Sequence, residues 1–147
     1  MNEKIKFEEI FSNENSVSFK ILSDDTCIGS IEGYIGNNTL TSVIHIDKAY
    51  QKQGIGFIAF EKIYNTLNQN NNIQQIAGSW CKDEEFSYCD DGMSSNLKIF
   101  LENSNLGLSD TQSAFNTPTG KWAKKLGFNK CRIDRKTNDS VHVSFFK

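Results

Sequence analysis

The sequence lacks a basic excess. Its 16 Lys and Arg stand against 18 Asp and Glu, for a formal net charge of -2. Binding nucleic acid without regard to sequence requires a cationic face that neutralises phosphates, so no nucleic-acid partner is expected. It also lacks a long apolar run. No stretch approaches the ~20 residues that span a bilayer, and residues 1–11 are mixed and polar rather than a charged, then apolar, leader. The expectation is a soluble, cytoplasmic protein made without Sec-type export and without a membrane partner. Cysteine is sparse: Cys27, Cys81, Cys89 and Cys131 are widely spaced, and the eight-residue step from Cys81 to Cys89 is no zinc-knuckle spacing. Reduced thiols and no metal are expected. Internal repeats are absent too.

What is present fits one ordinary domain. The chain has 147 residues, 37% hydrophobic, with eleven phenylalanines that supply a large apolar area. Phe7, Phe19, Phe57, Phe60, Phe100, Phe115 and Phe128 are expected in the core. Alternating residues predict strands over 4–11 and 16–22, where Val17, Phe19 and Ile21 share a face. Asp24-Asp25 predicts a tight turn. Residues 26–35 continue that hairpin, with Cys27, Gly29, Ile31, Gly33 and Ile35 on one side and Ile28, Ser30, Glu32 and Tyr34 on the other. Gly36-Asn37-Asn38 turns the chain again, into a strand over 39–47. A glycine-bearing loop follows, then a helix from Ile55 to about Leu67 on Ile58, Phe60, Ile63, Tyr64 and Leu67, then a strand over 73–80. Downstream, residues 96–101 and a segment capped by Ser109 read as short helices. Thr117-Pro118 opens another, which stops at Gly127. A hairpin over 129–134 and 140–146 ends the chain.

The loop over residues 51–56, Gln51-Lys52-Gln53-Gly54-Ile55-Gly56, carries the chemical signal. It lies between a strand and a helix. The first turn of a helix leaves N–H groups without intrahelical partners, and the macrodipole makes that end electropositive. Glycines let an anion approach the backbone, and a diphosphate suits such a cradle. The loop is not a Walker sequence, because no Gly-Lys-Ser/Thr follows at the required distance. Two glycines rather than three exclude the dinucleotide fingerprint.

This loop resembles the Gln/Arg-x-x-Gly-x-Gly/Ala pyrophosphate loop of the GNAT acyl-CoA N-acyltransferases. The run before it, Ile44-His45-Ile46-Asp47-Lys48-Ala49-Tyr50, is similar to that family's approach, with Tyr50 at the aromatic position. Asn116 stands eleven residues before Gly127-Phe128, as in the family's Asn-x-x-Ala helix, and Lys124-Lys125-Leu126-Gly127-Phe128 resembles its ending. The resemblance covers most of the chain. It implies an α/β GNAT-like fold, with a mixed, mostly antiparallel sheet, a splayed parallel strand pair and flanking helices. It implies one domain over 1–147, with residues 81–115 inserted as the acceptor-site wall in place of the usual N-terminal helix pair. It implies acetyl-CoA as acyl donor, held by Gln51, Lys52, Gln53, Gly54, Ile55, Gly56 and Asn116, with the backbone of Ile44 and Ile46 bonding pantetheine. One departure stands out: the family's tyrosine acid, four residues before the glycine, is Ala123 here.

The implied reaction moves an acetyl group to a primary amine by direct attack in a ternary complex. It needs a base for the amine proton and stabilisation of the thioester oxyanion. The Ile46 N–H is a candidate for the latter. His45 is the candidate base, and Glu32 on the adjacent strand is a candidate catalytic residue facing the acceptor site; each has an ordinary structural reading beside it: a core or capping histidine, a solvated strand glutamate. Tyr88 is the candidate acid, and Trp80 and Cys81 are expected near the thioester end. His142 is read as decoration on the last strand. Asp83, Glu84, Glu85, Asp90 and Asp91 suit a cationic acceptor such as a protein lysine, a polyamine or another small amine, or form a plain charged loop. Two alternatives stay open: a non-catalytic acyl-CoA-binding module, and a toxin, effector or phage-type acyltransferase acting on a macromolecule.

Overall fold

The computed structural model describes residues 5–51, 53–82 and 95–147. The chain divides into two compact units, Met1–Ile73 and Gln74–Lys147. Its class is the α/β one expected from the sequence: among the described residues, seven strands, mostly antiparallel, with helices against them.

The first unit is a meander with one helix. Strands β1 (Ile5–Ser12), β2 (Ser16–Ser23), β3 (Thr26–Gly36) and β4 (Thr39–Ile46) pair in chain order, each antiparallel to the next. Both later hairpins turn on residues with positive φ, Asp24 and Asp25 (49° and 70°) and Asn37 and Asn38 (53° and 60°). Such turns carry the twist that joins antiparallel strands. Asn13 opens the first hairpin with its side chain, accepting from the N–H of Asn15 and of Ser16. No helix intervenes between β1 and β2.

Helix α1 (Ile55–Asn68) covers one face of this sheet through Ile55, Ala59, Phe60, Ile63, Tyr64 and Leu67. On the sheet, Val17, Phe19, Ile21, Ile31 and Leu40 are buried, and α1 packs on β2, β3 and β4. Two expectations change. Ile58, read with the apolar stripe, points outward and is 43% exposed. On β3, a bulge places Ile21 opposite Gly29 and Leu22 opposite Cys27, so Ile28 is the extra residue. A bulge shifts the alternation by one. Ile28 is therefore buried and Cys27 exposed, the reverse of the strict alternation.

The second unit orders β5 (Gln75–Cys81), β7 (Ser140–Phe146) and β6 (Lys130–Lys136), all antiparallel. Helices α2 (Ser95–Asn105), α3 (Asp110–Phe115) and α4 (Pro118–Lys125) pack with one another, α2 against β5 and α3 against β6. The core is aromatic: Trp80 lies 6.3 Å from Phe100 and 6.4 Å from Phe145, and Phe115 lies 5.3 Å from Phe145, ring centre to ring centre. Trp80 is thus a core residue. Helix α4 packs tightly on α3: a Cβ on Gly120 would collide with the carbonyl oxygen of Ala114. Among the described residues no disulfide joins Cys27, Cys81 and Cys131, and no His, Cys, Asp and Glu cluster could hold a metal. No helix among them is long and apolar enough to cross a membrane.

Candidate active site

The loop after β4 is held by its own amides. A 3-10 turn, Lys48–Tyr50, starts at Asp47, and the N–H of Tyr50 donates to the Asp47 carbonyl at 2.8 Å. Gln51 then reaches back, its Nε2 donating to the Ile46 carbonyl at 2.8 Å. Gln53 Nε2 donates to the Ala49 carbonyl at 3.4 Å. These bonds tie residues 51 and 53 to the chain that precedes them, so the loop approaches α1 in a set path.

Gly54 begins the helix. Its φ of 82° and ψ of 0° are left-handed, a conformation that costs other residues energy, and nothing lies within 4 Å of where its Cβ would be. No side chain caps α1, and its first turn holds no acidic residue. The ladder starts when the Ile58 N–H donates to the Gly54 carbonyl at 3.4 Å. Glycine at this position puts no side chain of its own over the electropositive helix end.

The ladder also settles where β4 aims its backbone. The Asp47 N–H donates to the Ile28 carbonyl at 2.8 Å, across the Gly29–Ile46 rung. In an antiparallel pair the hydrogen-bonded residues alternate. Residues 43, 45 and 47 therefore bond β3, while Ile44 and Ile46 turn their peptide groups to the other side of β4.

His45 lies on the sheet face away from α1. It sits opposite Ser30, two rungs from the Glu32–Val43 pair, so Glu32 and His45 share that face. His45 Nε2 is 3.3 Å from Asp47 Oδ1. Glu32 is exposed. Tyr88 and Lys52 lie outside the described residues, as do Asp83, Glu84, Glu85, Asp90 and Asp91.

No family model matches the sequence, and no curated protein matches it either. Solved structures do. The PaiA N-acetyltransferase of Thermoplasma acidophilum, in complex with coenzyme A, superposes with a TM-score of 0.51 at 10% identity, over 90% of this chain and 62% of that one. The chain has the GNAT fold. The GNAT domain of S. lividans PAT (TM-score 0.50, 12% identity, 91% of this chain and 62% of that one) agrees. So does the GNAT-family acetyltransferase of Streptococcus pneumoniae (0.50, 10%, 92% and 70%). The chain thus spans somewhat less than two thirds of the length of PaiA.

The remaining GNAT-like positions lie in the second unit. Asn116 is the C-cap of α3, exposed, and its Nδ2 donates to Asn103 Oδ1 at 3.0 Å. It lines an open groove of about 390 Å³ with Thr111, Gln112, Phe115, Lys124 and Asn129. Ala123, where the GNAT tyrosine would stand, is fully buried in α4. The second unit also holds a contact that the sequence reading passed over. Ser79 Oγ and His142 Nδ1 are 3.0 Å apart on paired strands. Beside them, the Asp134 carboxylate accepts from Ser144 Oγ at 2.7 Å and Arg132 Nε at 2.6 Å. Burial alone would raise the pKa of Asp134; those two hydrogen bonds, with attraction to Arg132 and His142, bring it below the ordinary aspartate value. Burial raises the Cys131 thiol, against a hydrogen bond with Thr111, so this cysteine is a poor nucleophile.

Proposed function

We propose that this chain is a GNAT-type N-acyltransferase, a single domain with residues 81–115 as an insertion, which moves an acetyl group from acetyl-CoA to a primary amine. The observation that carries this reading is the uncapped, left-handed start of α1 directly after β4. A diphosphate fits there: peptide N–H groups and the helix dipole supply positive potential, and the first turn of α1 holds no acidic residue. Gln51 and Gln53 shape the loop, and Lys52 adds a charge. The outward peptide groups of Ile44 and Ile46 suit the amides of a pantetheine arm. Asn116 is assigned to the same donor.

The proposed chemistry is one displacement. The neutral amine attacks the thioester carbonyl, its proton passes to a base, and the carbon–sulfur bond breaks to release the thiolate. His45, oriented by Asp47, is the proposed base, with Glu32 on the same face helping to hold a cationic acceptor. The Ile46 N–H is assigned to the developing oxyanion. The buried Ala123 offers no proton, so Tyr88 is the proposed acid.

Two measurements test the reading. Titration calorimetry with coenzyme A should show a one-to-one complex. Thiol release from acetyl-CoA should then rise with at least one amine in a panel of polyamines and lysine peptides. Binding without release for any amine would favour a non-catalytic acyl-CoA module, and absence of binding would end the proposal.

A further inference from the structure

We propose that two copies of this chain pair through strand β1, antiparallel about a twofold axis at Phe7, so that the meanders of both copies form one continuous sheet.

Among the described residues strand β1 pairs only with β2, so its other side is an edge. Its peptide directions follow from the ladder. The Ile35 N–H donates to the Asn15 carbonyl, which puts residues 17, 19 and 21 of β2 in hydrogen bonds with β3. Residues 18, 20 and 22 of β2 then bond β1, through Phe11, Glu8 and Lys6. Ile5, Phe7 and Glu9 therefore aim their N–H and C=O groups at the open edge. Straight pairing ends there, because a bulge lies between Glu9 and Phe11. The free, regular part of the edge is residues 5–9.

Only one antiparallel register uses all of it and also has the right parity. Phe7 meets Phe7 of the second copy, and Ile5 meets Glu9 in both directions. These are the hydrogen-bonded rungs, and together they exchange about six backbone bonds. Between them fall two closely spaced rungs, each setting Lys6 opposite Glu8 of the other copy. Opposite charges at such rungs are favourable and like charges are not. The register that satisfies the backbone is thus the one that pairs every charge on the intervening rungs. Lys6 has only a loose contact to give up: Asp25 at 4.0 Å, with both side chains mostly exposed.

The covered face agrees. Phe7 is half-buried, edge-on to Phe19 at 6.1 Å between ring centres, and its outer side would meet its own counterpart. Aromatic pairs across a rung add to backbone pairing. Strand β6, which among the described residues also pairs on only one side, differs. It carries Lys130, Arg132, Arg135 and Lys136 against a single Asp134, the kind of charge that keeps an edge single.

Sedimentation analysis of the full chain over a wide concentration range tests this. The wild type should show a monomer–dimer equilibrium. Lys6→Glu and Glu8→Lys should each weaken it about tenfold or more, and the double swap should restore it. The amide of Phe7 should exchange with deuterium more slowly as concentration rises. Thermal unfolding at low concentration should be alike in all variants, because both positions are exposed. A wild type that is monomeric throughout, an open-ended series of larger species, or single reversals that leave the dimer unchanged would each overturn the proposal.

Discussion

The described starts of α1, α3 and α4 are of two kinds, and they differ in what satisfies the first turn. Helix α3 begins with a full capping box: Ser109 accepts from the Gln112 N–H, and the Gln112 side chain accepts from the Ser109 N–H. Helix α4 begins with Thr117, whose hydroxyl accepts from the Gly120 N–H at 3.0 Å and donates to the Ala114 carbonyl at 2.6 Å, followed by proline. Helix α1, at 14 residues, has neither device. Capping residues stabilise a helix wherever they stand. The diphosphate site proposed above rests on that difference.

The sharpest way to break this contrast is to give α1 a carboxylate of its own. Gly54→Asp keeps a residue that tolerates left-handed backbone and places a negative charge where the diphosphate would sit. Coenzyme A affinity in calorimetry should fall by about 100-fold or more, with the melting temperature little changed. Unchanged affinity would make the bare start of α1 a structural accident. The next effect belongs to a capped start. Gly120→Ala forces α3 and α4 apart, and urea unfolding should register a loss of about 1–3 kcal/mol. Thr117→Ala and Ser109→Ala should each cost about 1 kcal/mol by the same assay, while leaving coenzyme A affinity within about twofold. A large loss of binding in either would blur the distinction between the two kinds of start. Gln51→Ala removes the tether to Ile46 and should weaken coenzyme A several-fold, about the value of one neutral hydrogen bond, without touching stability elsewhere.

The smallest expected effect concerns pH. The Asp134 carboxyl titrates below its ordinary value in the folded chain. Its stabilising contribution is therefore complete above the unfolded pKa of about 4 and fades as pH falls through the lower folded one. Asp134→Asn should flatten the acid limb of stability, read as the urea midpoint between about pH 5 and pH 2. A mutant and wild type that run parallel over that window would show that burial offsets the Arg132 and Ser144 bonds entirely.

Much of this was legible in the order of residues. Asp24-Asp25 and Asn37-Asn38 named their turns because few other residues accept positive φ. Ser109 and Thr117-Pro118 named their helix starts because the cap is a local bond. The loop was legible for the opposite reason, since a glycine at a helix start shows what is missing. Other features depend on distant partners and left no local trace. Nothing next to Ile28 announces the bulge, which is set by how β3 registers on β2. Ile58 keeps helical spacing yet faces outward, because spacing alone does not say which face meets the sheet. Helix α2 runs on to Asn105 through poor helix formers; there Asn103 donates to the Ile99 carbonyl at 2.7 Å and receives Asn116. Ser79 and His142 are 63 residues apart and meet only because β5 lies on β7.

The tether at Gln51 has a consequence for how ionic strength acts on this protein. Its amide is neutral and already spent on the Ile46 carbonyl, and Gln53, Gly54, Ile55 and Gly56 carry no charge. Dissolved ions compete with fixed charges far more than with a shaped row of peptide dipoles. Nucleotide held there should loosen only gently as sodium chloride is added, and what sensitivity there is should vanish with Lys52→Gln.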